Sequence, residues 1–191
     1  IYWTDSSTSL MVTPPSTQET EVLLYGLASS APRVAFDNVN NKVYVGYTTG
    51  DIVSYNQNGG GATTVVTGGG TITGVDVDPT NGYVYWTTAT VVYRKPIGSG
   101  SNTQIATGSA INGVALDVVG GRVYWIQAGG NKTLIYRANL DGTGAAAIPD
   151  ANGIALNSSG NSNPKDIELN LLAGKIYFTD DATGSDYIGV C

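Results

Sequence analysis

A strand-like segment built around a tyrosine recurs along this chain. In most copies the tyrosine follows an aliphatic residue and precedes a bulky one, as in Val84-Tyr85-Trp86. The five tyrosines of the repeat are Tyr2, Tyr44, Tyr85, Tyr124 and Tyr177, separated by 42, 41, 39 and 53 residues. Aromatic and β-branched residues favour strands, and a strand-based period of about 40 residues predicts a β-propeller or a similar array of sheets.

A second marker accompanies four of these tyrosines at a constant distance. An aspartate or asparagine lies seven residues before the tyrosine, at Asp37, Asp78, Asp117 and Asn170. The residues one and three positions before this marker are apolar in all four repeats, which predicts a strand with one face in a core. Each repeat is therefore expected to hold a first strand that precedes the tyrosine strand.

The composition favours short strands and turns over helices. Glycine accounts for 26 of the 191 residues and charged residues for only 13%, against a typical charged share of about 25%. No segment sustains apolar spacing at the helical period, and Gly-Gly, Asn-Gly and Asp-Gly pairs would interrupt a helix. We expect an all-β protein, with no apolar run of the roughly 18 residues that would predict membrane insertion.

Four antiparallel strands joined by hairpin turns can be assigned to one repeat. In the fourth copy they cover residues 113–117, 122–127, 133–140 and 145–148. Four-stranded antiparallel sheets repeated around an axis are the blades of a β-propeller. By this assignment residues 1–191 form a single, partial propeller domain of about four and a half blades and roughly 18 strands.

Three segments resemble the YWTD repeats of the low-density-lipoprotein-receptor class B propellers. They are Tyr2-Trp3-Thr4-Asp5, Tyr177-Phe178-Thr179-Asp180 and Arg137-Ala138-Asn139-Leu140-Asp141-Gly142. The closing aspartate, which has a structural role between neighbouring blades in that family, is absent from the three central repeats. The resemblance implies a six-bladed, usually extracellular propeller that binds protein partners and does no chemistry. Six blades need about 24 strands, so a longer polypeptide or a partner chain would complete the ring.

The expected function is therefore protein–protein interaction or structural assembly in a matrix, fibre or surface coat, with no cofactor. Partners would be other proteins or further copies of the chain. Four tyrosines outside the repeated position are candidates for an exposed binding rim: Tyr47, Tyr55, Tyr83 and Tyr187. A polar loop insertion at about residues 150–164 accounts for the long interval before Tyr177, and variable loops on a rigid scaffold are frequent binding sites.

A calcium-dependent hydrolase is the alternative function. Asn112-Gly113 and Asn152-Gly153 resemble the Asn-Gly that metal-dependent lactonases of the gluconolactonase type present near a central ion. Asp76, Asp166 and Glu168 would add carboxylates, which Ca²⁺ prefers as ligands. Asn-Gly is also a common turn sequence, and the acids would equally suit a hydrated channel. The chain has no histidine, which excludes Ser-His-Asp and Cys-His sites within it.

Charge, sequons and cysteine bear on partners and compartment. The net charge is −6 with nine scattered basic residues, which argues against nucleic acid as a partner. Asn131-Lys132-Thr133 and Asn157-Ser158-Ser159 are N-glycosylation sequons, which together with the resemblance favour an extracellular or cell-surface glycoprotein. Cys191 is the single cysteine, so a disulfide would have to be intermolecular or reach other sequence, unless the side chain is simply a small buried one.

Overall fold

A computed structural model describes residues 2–4, 9–13, 21–24, 27, 33–130, 132–149, 162–182 and 185–191 of the chain. These residues form eighteen strands arranged in five antiparallel sheets, and no helix. The all-β prediction is confirmed, and the sheets are the blades of a β-propeller. No helix of the described residues has the length and apolarity needed to cross a membrane.

The strands follow chain order within each blade. Blade 1 contains β1 (Tyr2–Thr4), β2 (Leu10–Val12) and β3 (Glu21–Leu24). Blade 2 contains β4 (Arg33–Asp37), β5 (Lys42–Gly46), β6 (Ile52–Asn56) and β7 (Thr63–Val66). Blade 3 contains β8 (Gly74–Asp78), β9 (Tyr83–Thr87), β10 (Val91–Pro96) and β11 (Thr103–Thr107). Blade 4 contains β12 (Ile111–Asp117), β13 (Arg122–Ala128), β14 (Thr133–Asn139) and β15 (Ala146–Ala147). Blade 5 contains β16 (Pro164–Asn170), β17 (Lys175–Ala182) and β18 (Ser185–Val190).

The predicted count of four and a half blades is not reproduced. The described strands number eighteen, as expected, but they are distributed over five sheets with three, four, four, four and three strands. The difference arises because the first three strands pair only among themselves and the last three do the same. Each end of the described chain therefore builds a sheet of its own.

Strand register and the contacts between blades together identify the strands that lie at the propeller axis. In blades 2 to 5 the repeat tyrosine on the second strand pairs with the residue two positions before the marker, in the pairs Ala35–Tyr44, Asp76–Tyr85, Ala115–Tyr124 and Glu168–Tyr177. The first strands β4, β8, β12 and β16 contact one another from blade to blade, so they are the inner strands. Because β1 carries Tyr2 and pairs with β2, it occupies a second-strand position, and no described strand occupies the inner position of blade 1.

The constant marker closes the turn between the inner and second strands. The carboxylate of Asp37 accepts hydrogen bonds from the backbone N–H groups of Val39 and Asn40 at 2.9 and 2.7 Å. Equivalent bonds from backbone N–H groups reach the other three markers: Asn81 to Asp78, Gly120 to Asp117 and Ala173 to Asn170. Short polar side chains stabilise turns in this way. The fixed distance to the tyrosine follows from one turn geometry used four times.

Apolar contacts between consecutive blades form the core. Four clusters join blades 1 and 2, 2 and 3, 3 and 4, and 4 and 5. In two of them a tryptophan of the second strand stacks on a tyrosine of the third, with ring centroids 5.2 Å apart for Trp86–Tyr93 and 5.6 Å for Trp125–Tyr136. No such cluster of described residues joins blade 5 to blade 1.

Candidate functional site

A cavity of about 650 Å³ lies at the centre of the propeller. All five blades contribute to its wall, including β1 of blade 1 and the inner strands of the other four. Its charged lining residues are Arg33, Asp76, Asp166 and Glu168, and its aromatic lining residues are Tyr2, Trp3 and Phe36. Three of the five residues predicted for a channel or metal site therefore meet in one cavity.

Asp76 has the most perturbed carboxyl of the cavity. Its two oxygens accept hydrogen bonds from the backbone N–H groups of Val77, at 2.7 Å, and of Leu116 in the next blade, at 2.9 Å. Desolvation nevertheless raises the pKa of Asp76 to about 7, because it outweighs these bonds, and the negative charges of Glu168 and Asp166 add to the increase. The Asp76 carboxyl therefore links blades 3 and 4 at the channel wall.

The other two acids share this environment. Burial raises the pKa of Asp166, although a hydrogen bond from the Ile167 N–H and the Arg33 guanidinium oppose that increase. Burial likewise raises the pKa of Glu168, and the neighbouring Asp166 adds to it. Three carboxyls thus face one guanidinium in this cavity, which leaves an excess of negative charge.

The stability of the protein should fall as the pH rises from about 4 to about 7. The carboxyl of Asp76 keeps its proton in the folded state up to a pKa of about 7, whereas the unfolded chain releases it near pH 3.9. The folded state therefore binds more protons over this interval, and its stabilisation is lost as the pH passes the folded pKa. Denaturant midpoints measured at pH 4, 5.5 and 7.5 should show this decrease, and Asp76→Asn should weaken it. An unchanged slope in the variant would contradict the assignment.

The remaining predicted metal-site residues do not extend the group of acids. Asn112 lies in β12, where it pairs with Ile126, and it does not line the cavity. Asn152 lies outside the described residues. Among the residues that the structure describes, no three or more Asp, Glu, His or Cys side chains are arranged to hold a metal ion.

At least one of the tyrosines predicted for an exposed binding rim is buried. Tyr47 is only 2% exposed, so the expectation of an exposed ring is wrong for this residue. Its hydroxyl bonds to that of Tyr55 at 2.8 Å, and burial together with this bond raises the pKa of Tyr47. Tyr83 is half-buried, with the Arg94 guanidinium 5.0 Å from its ring centroid. Tyr187 belongs to β18, but its side chain lies outside the described residues.

An exposed apolar surface that the sequence pattern does not predict lies on blade 5. On blade 5, Tyr177 is 37% exposed, whereas its counterparts Tyr44 and Tyr85 are 3% and 1% exposed. Ile188 and Val190 are exposed beside it on β18. We call Tyr177, Ile188 and Val190 the blade 5 face. The available signal was their place in the last repeat, which no described blade follows.

A buried polar cluster joins blade 5 to blade 4. The carboxylate of Asp180 accepts hydrogen bonds from the hydroxyls of Thr133 and Ser162 and from the Asn163 N–H. Thr133 belongs to β14, so these bonds connect neighbouring blades. This is the structural role that the resemblance implied for the closing aspartate. It also places the Thr133 hydroxyl of the first sequon in the interior.

Several of the other predicted site residues lie outside the part of the chain that the structure describes. Asn131 and Asn157, the two sequon asparagines, lie outside the described residues, as do residues 150–161 of the predicted insertion. Cys191 is an exposed free thiol, and partial burial raises its pKa. Its backbone pairs with Ile176 and extends the sheet of blade 5 by one residue.

Comparison with known proteins supports the architecture. No protein-family model matches the chain, and no curated protein matches it by sequence. A chain in the crystal structure of a nidogen/laminin complex is similar, with a TM-score of 0.78 and 17% identity over 98% of this chain and 72% of that chain. The hydrazine synthase of Kuenenia stuttgartiensis gives a TM-score of 0.70 and 13% identity over 94% and 51% of the two chains. The computationally designed Ika4 protein gives 0.58 and 17% over 88% and 94%. At these identities the similarity establishes the β-propeller fold.

Proposed function

We propose that this chain is a non-catalytic, YWTD-type propeller module that acts outside the cell in protein–protein interaction or structural assembly. The Tyr2-Trp3-Thr4-Asp5 and Tyr177-Phe178-Thr179-Asp180 segments support the family assignment. Asp180 supports it further, because its hydrogen bonds join two blades. The fold similarity to a chain of a two-protein complex is consistent with a protein-binding role.

The blade 5 face is the observation that carries this proposal. Its three apolar side chains occupy a sheet surface whose counterparts in blades 2 and 3 are covered by the following blade. An exposed apolar surface of this kind marks a protein interaction site. The partner that covers the blade 5 face is a protein surface, supplied by another copy, by a different protein or by a longer polypeptide.

A calcium-dependent lactonase remains the second candidate because Asp76, Asp166 and Glu168 line one cavity. Two observations favour the first proposal. The described acids form no group with the arrangement of a metal site, and the chain has no histidine to serve as a general base. Calcium-dependent hydrolysis of a lactone by the purified protein, lost in Glu168→Gln, would overturn the non-catalytic assignment.

Self-association through the blade 5 face is the direct test of the assembly role. Sedimentation velocity should show concentration-dependent association of the wild-type chain, and Ile188→Lys should weaken it by about tenfold or more, because a buried isoleucine contributes about 1.5–3 kcal/mol. Val119→Lys is the matched control, since Val119 is exposed in the turn after β12. A monomer at all concentrations, or equal effects of both substitutions, would contradict assembly through this face.

A further inference from the structure

We propose that Asn58 is a site of non-enzymatic deamidation, at which the asparagine is converted into aspartate and isoaspartate. The Gly59 nitrogen, after losing its proton, attacks the side-chain carbonyl carbon of Asn58. The new N–C bond closes a cyclic imide, and the side-chain nitrogen leaves as ammonia. Water then opens either carbonyl of the imide, so the net change is hydrolysis of an amide to a carboxyl group. The site lies outside the blade 5 face, and its chemistry does not depend on the proposed function.

The turn between β6 and β7 leaves the Asn58 amide accessible. The Asn58 side chain is exposed, and the next three residues, 59–61, are all glycine. No side chain on these residues can therefore shield the carbonyl carbon from attack. Among the described residues the Asn58 Nδ2 group has no hydrogen-bond partner. The nitrogen that must leave as ammonia is thus held by nothing but its covalent bond.

A backbone N–H group faces the oxygen that becomes negative during the reaction. The Gly60 N–H donates to Asn58 Oδ1 at 3.0 Å. When the Gly59 nitrogen adds to the side-chain carbon, this oxygen carries the charge of the tetrahedral intermediate, which a positioned N–H stabilises. The Gly59 N–H itself donates to the Asn56 carbonyl at 2.9 Å. Attack therefore requires a brief local opening of this exposed turn.

The same dipeptide at Asn81-Gly82 is held by a buried carboxylate. The Nδ2 and backbone N–H groups of Asn81 donate to the Asp78 carboxylate at 2.7 and 2.9 Å. The Gly82 N–H donates to the Asp78 carbonyl at 2.9 Å. The leaving nitrogen and the attacking nitrogen are therefore both engaged, and the negative charge of Asp78 would repel the oxyanion of the intermediate. Deamidation at Asn81 should be slow.

A third Asn-Gly pair, Asn112-Gly113, lies within the inner strand of blade 4. Asn112 belongs to the ladder of β12 and β13. Gly113 is buried, and its N–H donates to the Thr73 carbonyl beside blade 3 at 3.3 Å. Imide formation here would have to distort a strand that packs between two blades. The described Asn-Gly pairs thus share one dipeptide and differ in how tightly the fold holds it.

Isoaspartate at position 58 would change the outer hairpin of blade 2. The side-chain methylene enters the main chain, so the turn becomes longer by one atom. The turn is closed by a hydrogen bond from the Asn56 N–H to the Gly60 carbonyl at 2.7 Å, which the longer chain would displace. β7 is the outermost strand of this blade. Its amides should therefore exchange faster with solvent after conversion, while those of β4 and β5 should not.

The test is peptide mapping by mass spectrometry of the 191-residue chain, kept folded at mildly alkaline pH. We expect conversion at Asn58 to be at least about tenfold faster than at Asn81 or Asn112. In the chain unfolded by urea the three rates should converge, because the dipeptides are identical. Equal rates at Asn58 and Asn81 in the folded chain, or a difference that persists in urea, would overturn the proposal.

Two substitutions of Gly60 test the role of its N–H. Gly60→Pro removes this donor, and Gly60→Ala keeps it. A Cβ at this position would meet only Asn58 Oδ1, at an ordinary contact distance of 3.4 Å. Conversion at Asn58 should be about fivefold or more slower in the proline variant than in the alanine variant. The rate at Asn81, which a loosened fold would raise, should be the same in both. Equal rates at Asn58 in the two variants would refute stabilisation by the Gly60 N–H.

Discussion

Replacing Trp86 with alanine should lower the free energy of unfolding by about 3–5 kcal/mol, the usual cost of removing a large buried aromatic side chain. Trp86 is fully buried between blades 2 and 3, and its ring stacks on Tyr93. The indole N–H has no hydrogen-bond partner among the described residues, so no polar interaction is lost with the ring. The loss therefore reports packing between blades, measured by chemical denaturation with urea.

Trp3 provides the matched control, because it occupies the same position in the first repeat. It is 39% exposed at the cavity, so Trp3→Ala should cost only about 1 kcal/mol or less. Trp125→Ala, which removes the buried counterpart in blade 4, should resemble Trp86→Ala. Equal losses of stability for Trp3→Ala and Trp86→Ala would contradict this prediction, because Trp3 would then be packed as closely as the buried Trp86.

The repeated part of the fold was accessible to sequence reasoning because each signal has a local physical cause. The seven-residue distance from Asp37 to Tyr44 reflects a turn closed by hydrogen bonds to the aspartate. Apolar residues at alternate positions of the inner strand reflect one buried face. Such causes act within a few residues, so a pattern in the sequence is enough to predict the strands and their pairing.

The exposure of a side chain depends on the neighbouring blades, whose contacts the sequence repeat does not specify. Tyr47 was predicted to lie on an exposed rim because it is outside the repeated position. Its hydroxyl instead forms a hydrogen bond with that of Tyr55 across a hairpin, and both rings pack in the cluster between blades 1 and 2. Tyr177 occupies the repeated core position and is nevertheless exposed. Whether such a side chain is buried depends on the adjacent blade, a contact between residues far apart in sequence.

The residues that line the channel could be predicted only in part. Asp76, Asp166 and Glu168 lie on inner strands at even distances before the marker, so period-two alternation places them on one side of their strands. That alternation brought three acids to one cavity. Asn112 does not line the cavity; it lies an odd number of residues before Asp117, and the ladder of β12 is irregular between Asn112 and Val114. A bulge changes which side chains face the axis, and nothing in an Asn-Gly pair alone reveals it.

Replacing Asp180 with alanine should lower the free energy of unfolding by about 2–4 kcal/mol, since the substitution leaves several buried donors without an acceptor. The carboxylate receives the hydroxyls of Thr133 and Ser162 and the Asn163 N–H, the last at 2.9 Å. These donors come from blade 4 and from the segment that leads into blade 5. The variant should therefore loosen blade 5 first, with faster hydrogen exchange in β17 and β18 than in blades 2 and 3.

The neighbouring Asp181 separates this effect from a general loss of negative charge. Its side chain is exposed and pairs with Lys165 at 3.3 Å, and exposed ion pairs contribute little to stability. Asp181→Ala should change the free energy of unfolding by less than about 1 kcal/mol. If both alanine variants lose the same stability, the buried cluster does not hold blade 5 to blade 4. If only Asp180→Ala lowers the free energy of unfolding and speeds hydrogen exchange in blade 5, Asp180 anchors this blade. The three central repeats carry Tyr47, Thr88 and Gln127 at the matching position, so they have no equivalent carboxylate.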